Sequence, residues 1–579
     1  MWRNTYYDYK KSVMYIWENG KKPTEIEWAP YVYIKDKNGP VNTIDGGKAS
    51  IKEFESYYDY SNFLKEDMDS LENKVRPEIQ FLSDRFYSID DEKIKAPILR
   101  IFNLDIEVHS DDGFPHPEEA NNPIVLVSIY DSIDKKATTF GLKKYNGGDI
   151  EECKFDYIFC STEKELLIKM FSFFREKSPE VVTGWNSTDF DLQYIINRSK
   201  KLFGDKELYK KMSPIDVVNT YSSHSFNVDI AGVSVLDYMD VYKRFTGNNL
   251  ERYTLDFVSN YELEKGKIDY SVIAEDLRDL YYKDWDLYVK YNIIDAYRVH
   301  ELEEKLGYIK LIQSLSLLCK APMKYYNSMT QLIEGYILTY YRRHNMCAPR
   351  FEGGTQETFP EAVVKEPMVG KWDWVIDLDI VSSYPTAVVT LNMSNETYYG
   401  KILGYSEDEI IKFSIKNKFD SFIYVNKDGK EIEMKDELLD KFNKIVKKKL
   451  ISIAPCGVLF NNSKPGILAE VTRELFAQRV DIKNRMLSLR KSGKTDGKMG
   501  ELISQLHSHQ TSIKIILNSL YGITAVPYSR YFSPDIAKSI VSCGRVTRAY
   551  GEKFVNEILN SNNKDLNTII DKLKIEIGV

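Results

Sequence analysis

The 579-residue sequence has only six cysteines, and no two of them form a Cys-x-x-Cys pair. Scattered at 153, 160, 319, 347, 456 and 543, they argue against a disulfide framework or a zinc ribbon and fit the reduced thiols of a cytoplasmic chain. No run of 18 or more apolar residues occurs, so no segment reads as a membrane span. The opening MWRNTYYDYKK lacks an apolar signal region. Tandem repeats and low-complexity tracts are missing too. A basic excess is also absent: the formal charge of −7 argues against a surface coated in lysine and arginine, while leaving room for a local basic groove.

What is present is enough apolar material for packed cores, at 43% of residues, in a length that implies several domains. Residues 1–95 are rich in tyrosine, alternate in polarity and carry turn signals ("PYVYIKDKNGPV"), which predicts a small β-containing domain. From about 97, "PILRIFNLDIEV" reads as a buried strand, with "NNPIVLVSIYDS" and "KATTFGL" as antiparallel partners. "EKELLIKMFSFFREKSP" and "DWDLYVKYNIIDAYRVHELEEKL" have helical periodicity, and "EVVTGWN" is a short strand entering a loop. This alternation predicts an α/β domain over 100–307. Residues 308–352 read as helical and are expected to return to the first domain, giving a unit of 1–99 plus 308–352. A long basic helix is predicted over 466–492 and a second over 499–521, with the turn "KSGKTDGKMG" between them.

Carboxylates then stand out. Asp105 and Glu107 lie two apart on a predicted strand, so both project from one face. Paired acids on an otherwise apolar strand are costly to bury unless a cation neutralises them. "GWNSTDFDLQY" places Asp191 just after a loop, at the expected start of a helix, and Tyr291 and Asp295 are four apart on one helical face. Singly, Asp191 could be a helix cap and Asp295 a surface acid. Together, in this order, they resemble the three exonuclease motifs of B-family replicative DNA polymerases: Asp105 and Glu107 match DxE, Asn186, Phe190 and Asp191 match NxxxFD, and Tyr291 and Asp295 match YxxxD. The resemblance implies an RNase H-like 3′–5′ exonuclease domain that uses two Mg²⁺ ions per active site, with Mn²⁺ as a substitute. Four carboxylates suit such hard cations. By the same resemblance Asp105 bridges both ions, Glu107 and Asp295 hold the one that generates hydroxide, and Asp191 helps position the other. Tyr291 hydrogen-bonds the attacking water, and Asn186 and Phe190 shape the path of the frayed DNA strand.

A second constellation begins at "DLDIVSSYP" (377–385). It resembles the family's motif A, with Asp379 at the metal position, Ile380 lending its carbonyl, Ser382 and Ser383 at the triphosphate, and Tyr384 under the incoming sugar. Asp377 is a strand neighbour without a counterpart, and SSYPT stands where the motif reads SLYPS. "KIILNSLYG" matches motif B. Lys514, Asn518 and Tyr521 fall on one helical face, followed by Gly522. These residues, with Arg479 and Lys483 on the preceding helix, are expected to meet a deoxynucleoside triphosphate. The branch resembled is that of the T-even phages, and "VNTYSSHSFNVDIAGVSV" resembles the hairpin that helps move the primer strand between its two sites.

Motif C, read in the family as DTDS, does not occur: no Asp-Thr-Asp is found anywhere. The expected architecture is therefore an α/β multidomain chain with an N-terminal β-containing domain, the exonuclease domain (100–307), an incomplete palm (353–465, continued at 527–579) and two-helix fingers (466–526). The leading expectation is an N-terminal piece of a split polymerase. Primer-template DNA and deoxynucleoside triphosphates are its substrates, a second chain brings motif C and the thumb, and a sliding clamp is held through that second chain. No membrane is involved, and the host-cell cytoplasm is the expected location. The alternatives are a truncated polypeptide, a stand-alone 3′–5′ DNA exonuclease, and a non-catalytic DNA-binding scaffold of the replisome.

Overall fold

The computed structural model describes residues 1–18, 22–89, 96–111, 113–222, 226–355, 365–366, 368–373, 379–380, 382–491 and 497–560. The chain forms two compact units: Met1–Tyr31, Glu53–Glu66 and Val75–Ser328 in the first, and Val32–Lys52, Asp67–Lys74 and Met329–Val579 in the second.

The first unit is built on a six-stranded sheet. From edge to edge its strands are Phe155–Phe159, Lys136–Gly141, Ile124–Asp131, Ile101–Val108, Val181–Thr183 and Ser234–Val235. Ile101–Val108 pairs antiparallel with Ile124–Asp131, which pairs antiparallel with Lys136–Gly141, as the sequence predicts. Ile124–Asp131 is buried at every position because both of its faces are covered, hence its unbroken apolar text. Ile101–Val108 divides its side chains instead. Phe102, Leu104 and Ile106 enter a core with Leu166, Met170, Phe171 and Phe174 of the helix Glu163–Lys177. The alternate residues turn to the opposite face. There lies the helix Trp285–Leu306, which begins with Asp284 accepting the Leu287 N–H at 2.9 Å and stops at Gly307 in the left-handed conformation. Its Tyr288, Val289, Ile293 and Ile294 pack with Val125, Leu126 and Tyr130 of the sheet. The N-terminal strands Asn4–Asp8, Val13–Trp17 and Thr24–Glu27 form a separate antiparallel sheet. Val218–Ser222 and Phe226–Ile230 form the expected hairpin.

In the second unit, Val32–Lys35, Lys48–Lys52 and Val41–Asn42 make a small sheet. It is tied to distant sequence by bridges from Tyr33 to Leu71 and from Asn42 to Met346. Glu72, fully buried, accepts from Arg342 Nη1 at 2.9 Å and from the Ala348 N–H at 3.0 Å. Arg530, also buried, pairs with Glu334 at 2.9 Å and donates to the carbonyls of Asn73 (2.7 Å) and Pro349 (2.8 Å). A five-stranded antiparallel sheet runs Glu431–Met434, Phe422–Asn426, Tyr398–Leu403, Val458–Asn461, Ile451–Ile453. The two long helices, predicted to within about two residues, are Ile467–Lys491 and Lys498–Ser519, and they pack along one another. Pro534–Asn560 follows as a third long helix. All six cysteines are free thiols. Among the described residues no helix is long and apolar enough to cross a membrane.

Candidate active site

Three elements of the first unit bring acids together. Asp105 and Glu107 project from the sheet face that meets the helix Trp285–Leu306. Asn292 of that helix donates to Asp105 at 2.6 Å, and the Tyr288 hydroxyl donates to Glu107 at 3.3 Å. Tyr288, Tyr291, Asn292 and Asp295 recur at the spacing of one helical face. Asp295 is 3% exposed, which rules out the surface-acid reading. Asp191 comes from a third direction. Its residue sits in a π-helical turn, Thr188–Leu192, that leads into the helix Gln193–Phe203. It does not cap that helix. Its carboxylate accepts the Ile106 N–H at 2.9 Å, the peptide between the two strand acids.

The turn carrying Asp191 is itself fixed. Asn186 adopts φ +60°, and Asp237 receives the N–H groups of Asn186 (3.1 Å), Thr188 (2.9 Å) and Met239 (3.0 Å). Burial pushes the Asp237 carboxyl up to about 6, with Asp240 adding to it against those three donors. Gly184, just ahead of this turn, passes the Leu104 carbonyl so closely that any side chain would collide with it. Phe190 lies against Phe114, ring centroids 5.5 Å apart, and Phe114 is largely exposed.

Three of the acids are raised by a neighbouring acid as well as by burial. Burial, then the charge of Asp295, raises the Asp105 carboxyl to about 8. Glu107 is pushed well up by burial and then by Asp105 and Asp295. Asp191 is pushed well up by burial and Asp105, and Asp295 is raised by burial against the attraction of Lys267. Lys267 is a site residue that the sequence reading missed. It forms an ion pair with Asp295, donates to the Tyr291 hydroxyl at 2.9 Å and lies 4.8 Å from the centre of that ring. Burial alone would lower its pKa, but Asp295, Tyr291 and Asp105 outweigh burial and raise it. The Tyr291 hydroxyl is raised by burial and by Asp295.

The donor set fits a divalent cation: four carboxylates, three of them destabilised by burial and a neighbouring acid, with Asp295 Oδ1 buried and lacking a hydrogen-bond partner. Among the described residues no three acids, histidines or cysteines are already drawn into a metal-holding group. Asn292, Tyr288, the Ile106 amide and Lys267 each hold one of the four acids instead.

The second constellation lies in the second unit. Asp379 and Ile380 are exposed, while Asp377 and the strand predicted before it fall outside the described residues. Ser382 is held at φ +54°, immediately before the helix Ser383–Thr390, an uncommon conformation for a residue other than glycine. Tyr384 meets Tyr521 edge-on, ring centroids 4.8 Å apart, and Gly544 leaves the space occupied by the Tyr384 ring. Lys514 and Asn518 lie exposed on Lys498–Ser519, and Gly522 opens a short helix to Ala525. Arg479 and Lys483 lie on the companion helix Ile467–Lys491, with Arg479 Nε buried and unpartnered.

One unit thus carries a set of buried carboxylates, and the other carries two long packed helices bearing Arg479, Lys483, Lys514 and Asn518. Residues 56–258 match the exonuclease domain of DNA polymerase family B, and residues 320–577 match DNA polymerase family B itself. The chain belongs to DNA polymerase family B and carries the family's exonuclease domain. It is 27% identical to the DNA-directed DNA polymerase of Escherichia phage RB69 and 26% identical to that of Enterobacteria phage T4, each alignment covering 94% of this chain and 65% of the relative. The DNA polymerase of Pyrococcus glycovorans is 26% identical over 83% of this chain and 54% of that protein. The chain thus spans about two thirds of the length of its phage relatives.

Proposed function

We propose that this chain removes nucleotides from the 3′ end of DNA at Asp105, Glu107, Asp191 and Asp295, and that it forms part of a replicative DNA polymerase. The observation that carries the reading is the convergence of four buried carboxylates from three elements, three of them raised by a neighbouring acid as well as by burial. Mg²⁺ ions held by these four residues, two per site, would supply an acidified water and charge relief at the leaving 3′ oxygen. Tyr291, kept protonated by its raised pKa and held by Lys267, orients the attacking water by hydrogen bonding. Phe190 and Phe114 offer ring faces to a frayed base, and Asn186 shapes its approach. Metal-dependent 3′ trimming of single-stranded DNA tests the reading. Asp105→Ala combined with Glu107→Ala should abolish it, and trimming that survives this double substitution refutes it.

Nucleotide transfer is assigned to Asp379 with the carbonyl of Ile380. Ser382, Ser383, Arg479, Lys483, Lys514 and Asn518 meet the triphosphate, and Tyr384, Tyr521 and Gly522 face the nascent pair. A lone aspartate does not hold two ions in line. We assign the facing acid to polypeptide outside these residues, in our reading a second polymerase chain that also brings the thumb and the clamp contact. The chain alone should trim but not extend a primer, and extension should appear when a polypeptide carrying DTDS is added. Primer extension by this chain alone would refute the two-chain assignment.

A further inference from the structure

We propose that the lysine-rich end of the antiparallel lobe in the second unit is a binding surface for the phosphate backbone of DNA. This rests on the DNA-handling function above. The lobe's sheet and its two helices, Glu407–Lys416 and Asp436–Lys447, enclose their own core of Ile402, Ile410, Phe419, Phe422, Phe442, Val446, Ile451 and Leu459. Neither constellation takes a residue from these helices.

Charge is sorted along them. Acids gather at the helix starts, and three of the five there are paired locally. Glu409 completes a capping box with Ser406, Glu407 pairs with Arg545, and Glu437 pairs with Lys441 at 2.7 Å. The opposite ends are basic and are stitched together. Asn443 accepts the Phe419 N–H at 2.8 Å and donates to the Phe419 carbonyl at 3.2 Å, and the rings of Phe419 and Phe442 lie 5.5 Å apart. The exit of the first helix is thereby held against the last turns of the second. Lys416 and Lys418 come from one, and Lys444, Lys447, Lys448 and Lys449 from the other.

All six lysines are exposed, and among the described residues none has a carboxylate within ion-pairing distance. Asp420 and Asp440 are the acids on the same two stretches. A helix C-terminus attracts cations with the equivalent of about half a charge, so two such ends account for roughly one lysine. The remaining cations repel one another, and Lys444, Lys447 and Lys448 share one helical face. Exposed ammonium groups on flexible stems, with no aromatic ring among them, suit phosphates rather than base edges.

The test is binding of the chain to labelled primer-template DNA and to a single-stranded oligonucleotide across roughly 50–200 mM salt. Each lysine–phosphate contact contributes about 0.9 to the salt slope on duplex and about 0.7 on single strands. Replacing Lys444, Lys447, Lys448 and Lys449 together by Gln should make the slope of log K against log salt less negative by about 3 on whichever form the lobe holds. The same four changed to Arg should keep the wild-type slope. Hydrolysis of a chromogenic nucleotide ester, which carries no backbone, should be unchanged in both. A Gln variant that melts normally and keeps the wild-type slope on both DNAs overturns the inference, and so does a slope lost equally in the Arg variant, which would point to an acidic protein partner or to folding. If the wild-type chain shows no salt-dependent DNA binding, the DNA reading fails and this inference with it.

Discussion

Gly184 is the position where a single methyl group should cost the most nuclease activity without touching a carboxylate. It lies between the strand that carries Asp105 and the turn that carries Asp191. A Cβ placed there would press on the Leu104 carbonyl and stand 2.7 Å from Ser187 Cβ. Ordinary carbon–carbon contact needs about 3.5 Å, so one of the two segments must yield by roughly 0.8 Å. Both lead directly to a site acid, and a displacement near 1 Å at a catalytic centre can cost on the order of 100-fold in rate. Gly184→Ala is therefore expected to lower kcat for 3′ trimming by about 10- to 100-fold, equivalent to roughly 1.4–2.7 kcal/mol, and to destabilise the first unit by about 1–3 kcal/mol through overpacking. Single-turnover trimming of a labelled oligonucleotide gives the first number and thermal melting the second. Gly148→Ala is the control, because nothing lies within 4 Å of a Cβ there and its backbone is unstrained. Wild-type kcat and melting temperature in Gly184→Ala would refute the argument that this close approach sets the spacing of the acids.

Two further outcomes follow from buried charge. Burial raises the Glu303 carboxyl to about 7 from an ordinary 4.5, against the N–H groups of Ile309 and Lys310 and the Tyr238 hydroxyl that donate to it. Its contribution is thus fully present below about pH 4.5 and is lost as pH rises through 7. Wild type should lose about 3 kcal/mol over that window relative to Glu303→Gln, read as the difference between their denaturant-unfolding free energies at each pH. Glu72→Ala should cost the second unit roughly 3–5 kcal/mol, because Arg342 is left buried beside an empty space. A loss under about 1 kcal/mol by denaturant unfolding would contradict that.

Regular repetition is what made parts of the molecule legible in its sequence. The two-residue spacing of Asp105 and Glu107 and the four-residue spacing of Tyr291 and Asp295 survive in the structure as one strand face and one helix face. The long helices of the second unit were readable because periodicity accumulates over 20 or more residues. Tyr288 and Asn292 could have been read too, since they fall at the same helical spacing as Tyr291 and Asp295. Lys267 and Asp237 could not. Each acts from a connecting segment through contacts dozens of residues away in sequence, and no local pattern encodes such a partner. Asp191 stands at the helix start that its sequence predicts, in a π-helical turn no local pattern announces, and its carboxylate reaches a strand amide.

The division of the chain has a consequence for how it is made. Val32–Lys52 and Asp67–Lys74 belong with a unit whose remaining residues begin at Met329, so this small sheet emerges long before the rest of its unit and its bridge to Met346. At a ribosomal pace of about 5–20 residues per second, the wait is on the order of 15–60 s. Meanwhile the intervening nuclease unit can complete its own sheet. Newborn chains would therefore carry a small sheet still waiting for the rest of its unit, which makes the interval before residue 346 is synthesised the period of greatest exposure to clumping and to chaperone capture.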